Sequence, residues 1–584
     1  MRMFRVCCLV IAALFAGKVR AGDTCQLLKY GTLPVEMLDG QPTTMVKING
    51  TDTRFILDTG GFFDLMSRAN ALALGLKLRP APFGYRISGI GGAADVQFAD
   101  VKEFGILDTT LKRIGFIVGG TDTGHGLLGA NLLDIADLEI DLAHGKMNLF
   151  KPDGCNKTGL AYWSKAGEFN MVDIDTSESR SAAHQTVVEV EINGKKLRAM
   201  IDSGASATVM SRHAAEHVGI NLDGPNVKPG MTSSGIGSKS LKAWTVNIDS
   251  FQFGTELIQH TQMEVLDGSI GGGDTDMLLG ADFLLAHRMY IANSQDKIYF
   301  TYNGGRLFAL ATPTSEGEST GGEKAAPLQN AADYALRGEA HLSRGEPDAA
   351  VVDLNEAIRM APDQAAYYVA RARAYMAEKQ LEPATADLDK AVSLDPKNVD
   401  ALLMRARIRF SHDNHAGALA DINAASPLVA AGSINAIDIA NLYVALDQPS
   451  TALPLLNRWI QTHPNDVHLG NALNERCWAL SLSNQSLDDA LSDCRKAIKR
   501  DGENPQYLDS LGLVELRLGK YPESISAYEK AAQTGHSAWT RYGLGLARIR
   551  NGQKEAGDAD LVAARAIQPD IDTRAAKFGL RPGP

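Results

Sequence analysis

Two aspartates stand in matched surroundings. Asp58 lies in Leu57-Asp58-Thr59-Gly60, and Asp202 lies 144 residues on in Ile201-Asp202-Ser203-Gly204. A lone Asp-Thr/Ser-Gly is weak evidence, arising by chance on the order of once in a couple of thousand positions. Here it ends an apolar run twice, at the same place in two copies of one pattern. Two carboxylates brought to ~3 Å cannot both ionise, so they share a proton and their titrations split. The ionised one is then a general base toward water, and the protonated one polarises a carbonyl. Which aspartate holds the proton is a property of the pair. Gly60 and Gly204 let two backbones approach closely, and the hydroxyls of Thr59 and Ser203 can bond across to fix the turns. The plainer reading is that Asp58 and Asp202 only cap turns.

The elements that must position these residues are duplicated as well. Val46-Lys47-Ile48-Asn49-Gly50 recurs as Val190-Glu191-Ile192-Asn193-Gly194, and Met66-Ser67-Arg68 as Met210-Ser211-Arg212, at the same offset. Leu127-Leu128-Gly129-Ala130 is echoed by Leu278-Leu279-Gly280-Ala281. Short apolar runs around Asn-Gly predict hairpins, so each copy is an all-β lobe. The lobes span 22–155 and 184–310, with 156–183 as an inter-lobe linker. Ser88-Gly89-Ile90-Gly91-Gly92 and Ser234-Gly235-Ile236-Gly237 follow the aspartates at similar distances. They read either as plain turns or as two flaps whose tips cover a bound peptide.

On these motifs the first half resembles the aspartic proteases, bilobal like pepsin but with short retropepsin-like lobes. The resemblance implies an acid-protease fold and an endopeptidase whose catalytic residues are Asp58 and Asp202. Thr59, Gly60, Ser203 and Gly204 would support them, and Gly89, Ile90, Gly91, Gly92, Gly235, Ile236 and Gly237 would form two flaps, as in a fused retropepsin dimer. Both aspartates lie in one chain, so a monomer suffices for catalysis. Gly61 departs from the small hydroxylated or alanine residue usual after the motif, whereas Ala205 fits. A protease-like fold that binds peptides without cutting them is the alternative.

Beyond a polar Gly/Ser/Pro linker at 311–327 the pattern changes. Small residues recur at Ala350, Ala384, Ala418, Ala452, Ala490, Ser524 and Gly557, mostly 34 apart, with one step lengthened by four between Ala452 and Ala490. A second series runs Ala357, Ala391, Ala425, Trp459, Ala497, Ala531 and Ala564. This period of paired helices resembles the tetratricopeptide repeat, about seven copies within 328–584. Stacking stabilises such an array and implies a groove for a protein partner. The fold class expected is multidomain: an all-β bilobal unit, then an all-α solenoid. Each part has its own periodicity, so 22–310 is expected to fold and act without the array.

Arg2 and Arg5 precede an apolar run from Val6 to Ala16, followed by Val19-Arg20-Ala21, the layout of a secretory signal peptide over 1–21. At about 11 residues the run is too short to span a bilayer, so membrane contact is expected only in transit. Export is expected, to the periplasm on the family resemblances. Without Cys7 and Cys8 four cysteines remain, an even count that suggests the bridges Cys477–Cys494 and Cys25–Cys155, or else four buried thiols. No metal-binding spacing or phosphate-binding loop occurs, so neither metal nor cofactor is expected. A net charge of −11 speaks against a strongly basic nucleic-acid binder and leaves a local basic patch open; the protease resemblance implies a protein or peptide substrate.

Overall fold

The computed structural model describes residues 18–20, 25–156, 158–165, 167–176, 184–270, 275–305, 307–308, 328–430, 432–535 and 537–582. The expected signal peptide lies outside them except for strand Lys18–Arg20, and the linker 311–327 lies outside them entirely.

The Asn-Gly turns build matching hairpins. Gln41–Ile48 pairs antiparallel with Thr51–Leu57 across Asn49 (φ 50) and Gly50 (φ 89). Val187–Ile192 pairs with Lys195–Ile201 across Asn193 (φ 51) and Gly194 (φ 74). Two consecutive positive φ values match the twist of the flanking strands. In each lobe the strand leading to the aspartate also pairs in parallel with the Leu-Leu segment, Gly126–Leu128 or Met277–Leu279. The apolar faces of the two lobes join in one continuous core, from Val46, Phe55 and Phe116 to Val190, Phe251 and Phe283. A third, seven-stranded sheet joins the lobes, pairing Asp137–Asp141 with His287–Ala292.

The segment 156–183 is more than a linker where it is described. Asn170–Asp173 adds a strand to the shared sheet beside Lys297–Tyr302. Leu160 and Ala161 are buried with Cys25, Phe150, Cys155 and Tyr290. Tyr162 donates to Glu139 at 2.7 Å, and Glu139, fully buried, pairs with Arg288 at 2.6 Å. Cys25 and Cys155 are bonded, with α-carbons 4.5 Å apart.

The described residues within 331–567 form seven antiparallel helix pairs, from Ala331–Ser343 with Pro347–Met360 to Ala538–Arg550 with Lys554–Ile567, and Ile571–Lys577 follows as a further helix. The small-residue positions sit where the helices of a pair cross. A Cβ on Gly557 would lie 2.6 Å from the Gly545 carbonyl oxygen. Buried aspartates at the same repeat position accept an arginine from the partner helix: Arg337–Asp353, Arg371–Asp387, Arg405–Asp421 and Arg476–Asp493. Cys477 and Cys494 bond the two helices of the fifth pair, α-carbons 5.6 Å apart. Closing so short a loop is worth about 3 kcal/mol in the chain-entropy account.

The array does not merely trail behind the β-lobes. Gly145 of the first lobe meets Leu336, Gly124 meets Ile434, and His463 Nε2 bonds Asp122 Oδ2 at 2.9 Å with both side chains almost wholly buried. The array, expected from its own periodicity to be a separate module, therefore shares a packed interface with the first lobe. Among the described residues no helix is long and apolar enough to cross a membrane.

Candidate active site

The strands Thr51–Leu57 and Lys195–Ile201 end side by side and deliver Asp58 and Asp202 to the seam between the lobes. Each aspartate is fixed by its own turn. Asp58 Oδ1 accepts from the N–H of Gly60 (3.0 Å) and Gly61 (2.7 Å); Asp202 Oδ1 accepts from Gly204 (3.0 Å) and Ala205 (3.1 Å). The Leu-Leu-Gly-Ala echo is explained here. Asp58 N–H donates to Leu128 O and Asp202 N–H to Leu279 O, while Ala130 and Ala281 donate to the carbonyls of Gly61 and Ala205.

The two hydroxyls lock the turns together. Thr59 Oγ1 donates to Ile201 O at 2.8 Å and accepts from Ser203 N–H at 3.0 Å. Ser203 Oγ donates to Leu57 O at 2.6 Å and accepts from Thr59 N–H at 3.1 Å. This exchange leaves the carboxyl groups hydrogen-bonded to each other. Burial raises Asp58, and burial together with the charge of Asp58 raises Asp202 well above the carboxylate range. One proton is therefore held by the pair where a free aspartate would have lost it. The glycines are demanded by contact: a Cβ on Gly60 would lie 2.3 Å from Asp202 Cγ, and one on Gly204 2.5 Å from Asp58 Cγ. Gly61 has the same kind of cause, since a Cβ there would sit 2.7 Å from Asp58 Oδ2. The first aspartate is seated too tightly for the alanine that the second lobe carries.

The two glycine-rich segments meet each other but differ in form. The first is a regular hairpin, Arg86–Gly89 against the start of Gly92–Ile106, with Ile90 and Gly91 at its tip. The second is irregular, closed by a single bridge between Ser233 and Leu241. Gly237 N–H donates to Ile90 O at 2.9 Å, and a Cβ on Gly237 would lie 2.0 Å from Gly91 C. The isoleucines cross over. Ile90 packs against a second-lobe cluster that includes Val187, Met200 and Leu278, and Ile236 against a first-lobe cluster that includes Ile56, Val96 and Leu127. Gly89, Gly92 and Gly235 flank these tips.

Three further features belong to the site and were not singled out from sequence. Gln41 and Gln185 reach across the seam to the Gly204 and Gly60 carbonyls. Asp64 accepts from Gly129 N–H at 3.1 Å, and Thr208 accepts from Gly280 N–H at 3.0 Å; burial pushes Asp64 up to about 6. Both pairs obey the 144-residue offset, which would have found them. Thr121, on a loop from the first lobe, touches the second flap and carries no such mark. Among the described residues no cluster of three or more His, Cys, Asp or Glu is placed to hold a metal ion.

The profile of the family described as aspartyl protease matches residues 44–132 and 188–283, one segment in each lobe. The profile described as tetratricopeptide repeat matches 335–398 and 481–539. DNA damage-inducible protein 1 of Chaetomium globosum is 32% identical over 115 residues, 20% of this chain and 24% of that protein. The protein of the same name from Neurospora crassa is 32% identical over 108 residues, 18% and 23% of the two chains. The chain thus spans about a quarter of the length of these curated relatives. Among solved structures, a tetratricopeptide repeat protein from Parabacteroides merdae is 15% identical, covering 43% of this chain and 98% of its own, with a TM-score of 0.32. YrrB, described as a tetratricopeptide protein with an unusual peptide-binding site, is 21% identical over 39% of this chain and 97% of its own, with a TM-score of 0.24.

Proposed function

From a chain that carries an aspartyl protease domain ahead of tetratricopeptide repeats, we infer an aspartic endopeptidase that hydrolyses peptide bonds with water activated by Asp58 and Asp202. The observation that carries the reading is the exchange of hydroxyl bonds between Thr59 and Ser203, which holds two carboxyls in mutual hydrogen bond at the seam. With one shared proton, the ionised carboxyl takes a proton from water as its oxygen attacks the scissile carbonyl carbon. The protonated carboxyl donates to the carbonyl oxygen, and the resulting gem-diol collapses as the amide nitrogen is protonated and leaves. The flaps keep bulk water away and offer backbone groups to an extended peptide. The apolar beds under Ile90 and Ile236 favour apolar side chains on either side of the cut.

The protein acts outside the cytosol, in a bacterial periplasm. The bridges Cys25–Cys155 and Cys477–Cys494 favour an oxidising compartment. A protein partner is bound by the array away from its contact with the first lobe. A cavity of about 480 Å³ lined by Asn504, Gln506, Asp509, Ser537 and Thr540 lies in repeats six and seven and supports that placement. The test is cleavage of a peptide library by the purified full chain from acid to neutral pH, with Asp202→Asn as control. Cleavage lost in the control supports the endopeptidase. Peptide binding without cleavage by the unaltered protein would overturn it in favour of a non-catalytic scaffold.

A further inference from the structure

The two flaps are not held alike. The residues that make the difference come from the array and from the loop it grips. Thr121 donates its N–H to Ile236 O at 3.2 Å and its hydroxyl to Gly237 O at 2.9 Å, so the first lobe holds the second flap from below. The loop carrying Thr121 is itself fixed from the array. Asp122 N–H donates to Asp466 Oδ2 at 2.7 Å, Asp122 Oδ2 bonds His463 Nε2 at 2.9 Å, and Val467 N–H donates to Thr121 Oγ1 at 3.3 Å. Arg500, near the end of helix Leu487–Asp501, donates through Nη2 to Ser238 O in the second flap at 3.0 Å and also to Asp466 O. A continuous set of hydrogen bonds therefore runs from repeats four and five to the tip of one flap.

The other flap has no such tie. Among the described residues, the hydrogen bonds that Arg86–Gly92 makes beyond its own hairpin reach only the second flap, where Ile90 O accepts from Gly237 N–H. At its root a cavity of about 190 Å³ lies between Asp95, Val96 and Gln97, the Gly119–Gly120 start of the gripped loop, and the array segment from Thr462 to Asp466. A segment with few outward bonds and free space beside it opens at lower cost than one bonded at several points. The tips are in contact, so a peptide enters only when they part.

We propose that Arg500 and Thr121 are positioning residues that make the second flap the fixed wall of the cleft, and that the first flap is the one that lifts to admit a peptide chain. The proposal rests on the reading of these segments as covers for a peptide, but its test does not depend on hydrolysis. In the chain with Cys7 and Cys8 changed to serine and its other four cysteines bridged, spin labels at Ser88→Cys and Thr51→Cys report the first flap against its own lobe. Labels at Ser234→Cys and Lys195→Cys report the second. Pulsed electron resonance is expected to give a broad distance distribution for the first pair and a narrow one for the second. Arg500→Ala, at the surface, and Thr121→Val, which keeps the side-chain volume, should each broaden the second distribution toward the first and leave the first unchanged. Equal widths in the protein without these two changes would overturn the proposal. So would a second distribution that stays narrow in both variants. If the flaps behave as expected but no peptide is cut, the endopeptidase reading fails and the flap asymmetry stands.

Discussion

Gln41 donates its side-chain amide to the carbonyl of Gly204 at 2.5 Å, from one lobe into the catalytic turn of the other. Gln185, its equivalent 144 residues later, returns the bond to Gly60 O at 2.8 Å. The two turns are thus held across the seam twice, by the hydroxyls beneath and by the amides beside them. Gln41→Ala combined with Gln185→Ala should loosen the register of the lobes by about 1 kcal/mol per bond lost. Turnover should fall because the aspartates are no longer held in one geometry. Chemical denaturation and steady-state kinetics of the double variant check both effects. Unchanged stability and unchanged kcat would mean that the amides are ornaments of the turn.

Asp58→Asn and Asp202→Asn should each lower peptide hydrolysis by at least about a hundredfold, the usual scale for one acid or base. The fold should persist, because asparagine keeps the acceptor oxygen used by Gly60 and Gly61 or by Gly204 and Ala205. Because burial and mutual charge raise the pair, activity should follow a bell with its basic limb set by loss of the shared proton. A rate profile that rises monotonically to alkaline pH would contradict this.

The array carries its own pH dependence. Burial pushes Asp509 up to about 7, and Glu475, one repeat earlier, also up to about 7. Unfolded carboxyls titrate near 4. The folded array therefore holds extra protons between about 4 and about 7, so their contribution is full at low pH and is lost as pH rises through about 7. Asp509→Asn and Glu475→Gln should remove part of that slope and make the array more stable at pH ~8 by on the order of a few kcal/mol. Denaturation followed by far-ultraviolet circular dichroism at acidic and mildly alkaline pH decides it. The variant and parent curves should converge at acid pH.

His463→Ala leaves Asp122 Oδ2 without the imidazole that meets it inside the interface. Losing that bond should cost the docked state about 1–3 kcal/mol. The same reasoning applies to a fragment ending at residue 310, which exposes the face that Leu336, Ile434 and His463 cover. The lobes share one core to which the array adds Ala340, so the fragment should fold, but with less stability than in the full chain. Protease susceptibility around residues 119–125 should rise in both proteins. Equal resistance in full chain, variant and fragment would show that the interface contributes nothing.

Much of this architecture is written in local pattern. The Asp-Thr-Gly and Asp-Ser-Gly pair, the Asn-Gly hairpins and the Leu-Leu-Gly echo repeat at one offset because each lobe solves the same folding problem with the same strand and turn chemistry. The 34-residue alternation of small residues is equally local, since each helix pair needs one close crossing. Gln41 with Gln185 and Asp64 with Thr208 share the first offset, yet as single polar residues they look like ordinary surface positions. The lengthened step between Ala452 and Ala490 was visible as an irregularity. Part of it lies in the loop after Thr462 that reaches the first lobe with His463, Asp466 and Val467.

The two folds and the aspartate pair are legible in the chain alone, because periodicity and turn residues act over a few neighbours. That the array grips the first lobe and, among the described residues, is hydrogen-bonded to one flap and not the other depends on how distant surfaces pack. Asp122 and His463 are 341 residues apart. A contact made once between two distant surfaces has no repeat to announce it, and its polar residues read as solvated until the surface that buries them is in place.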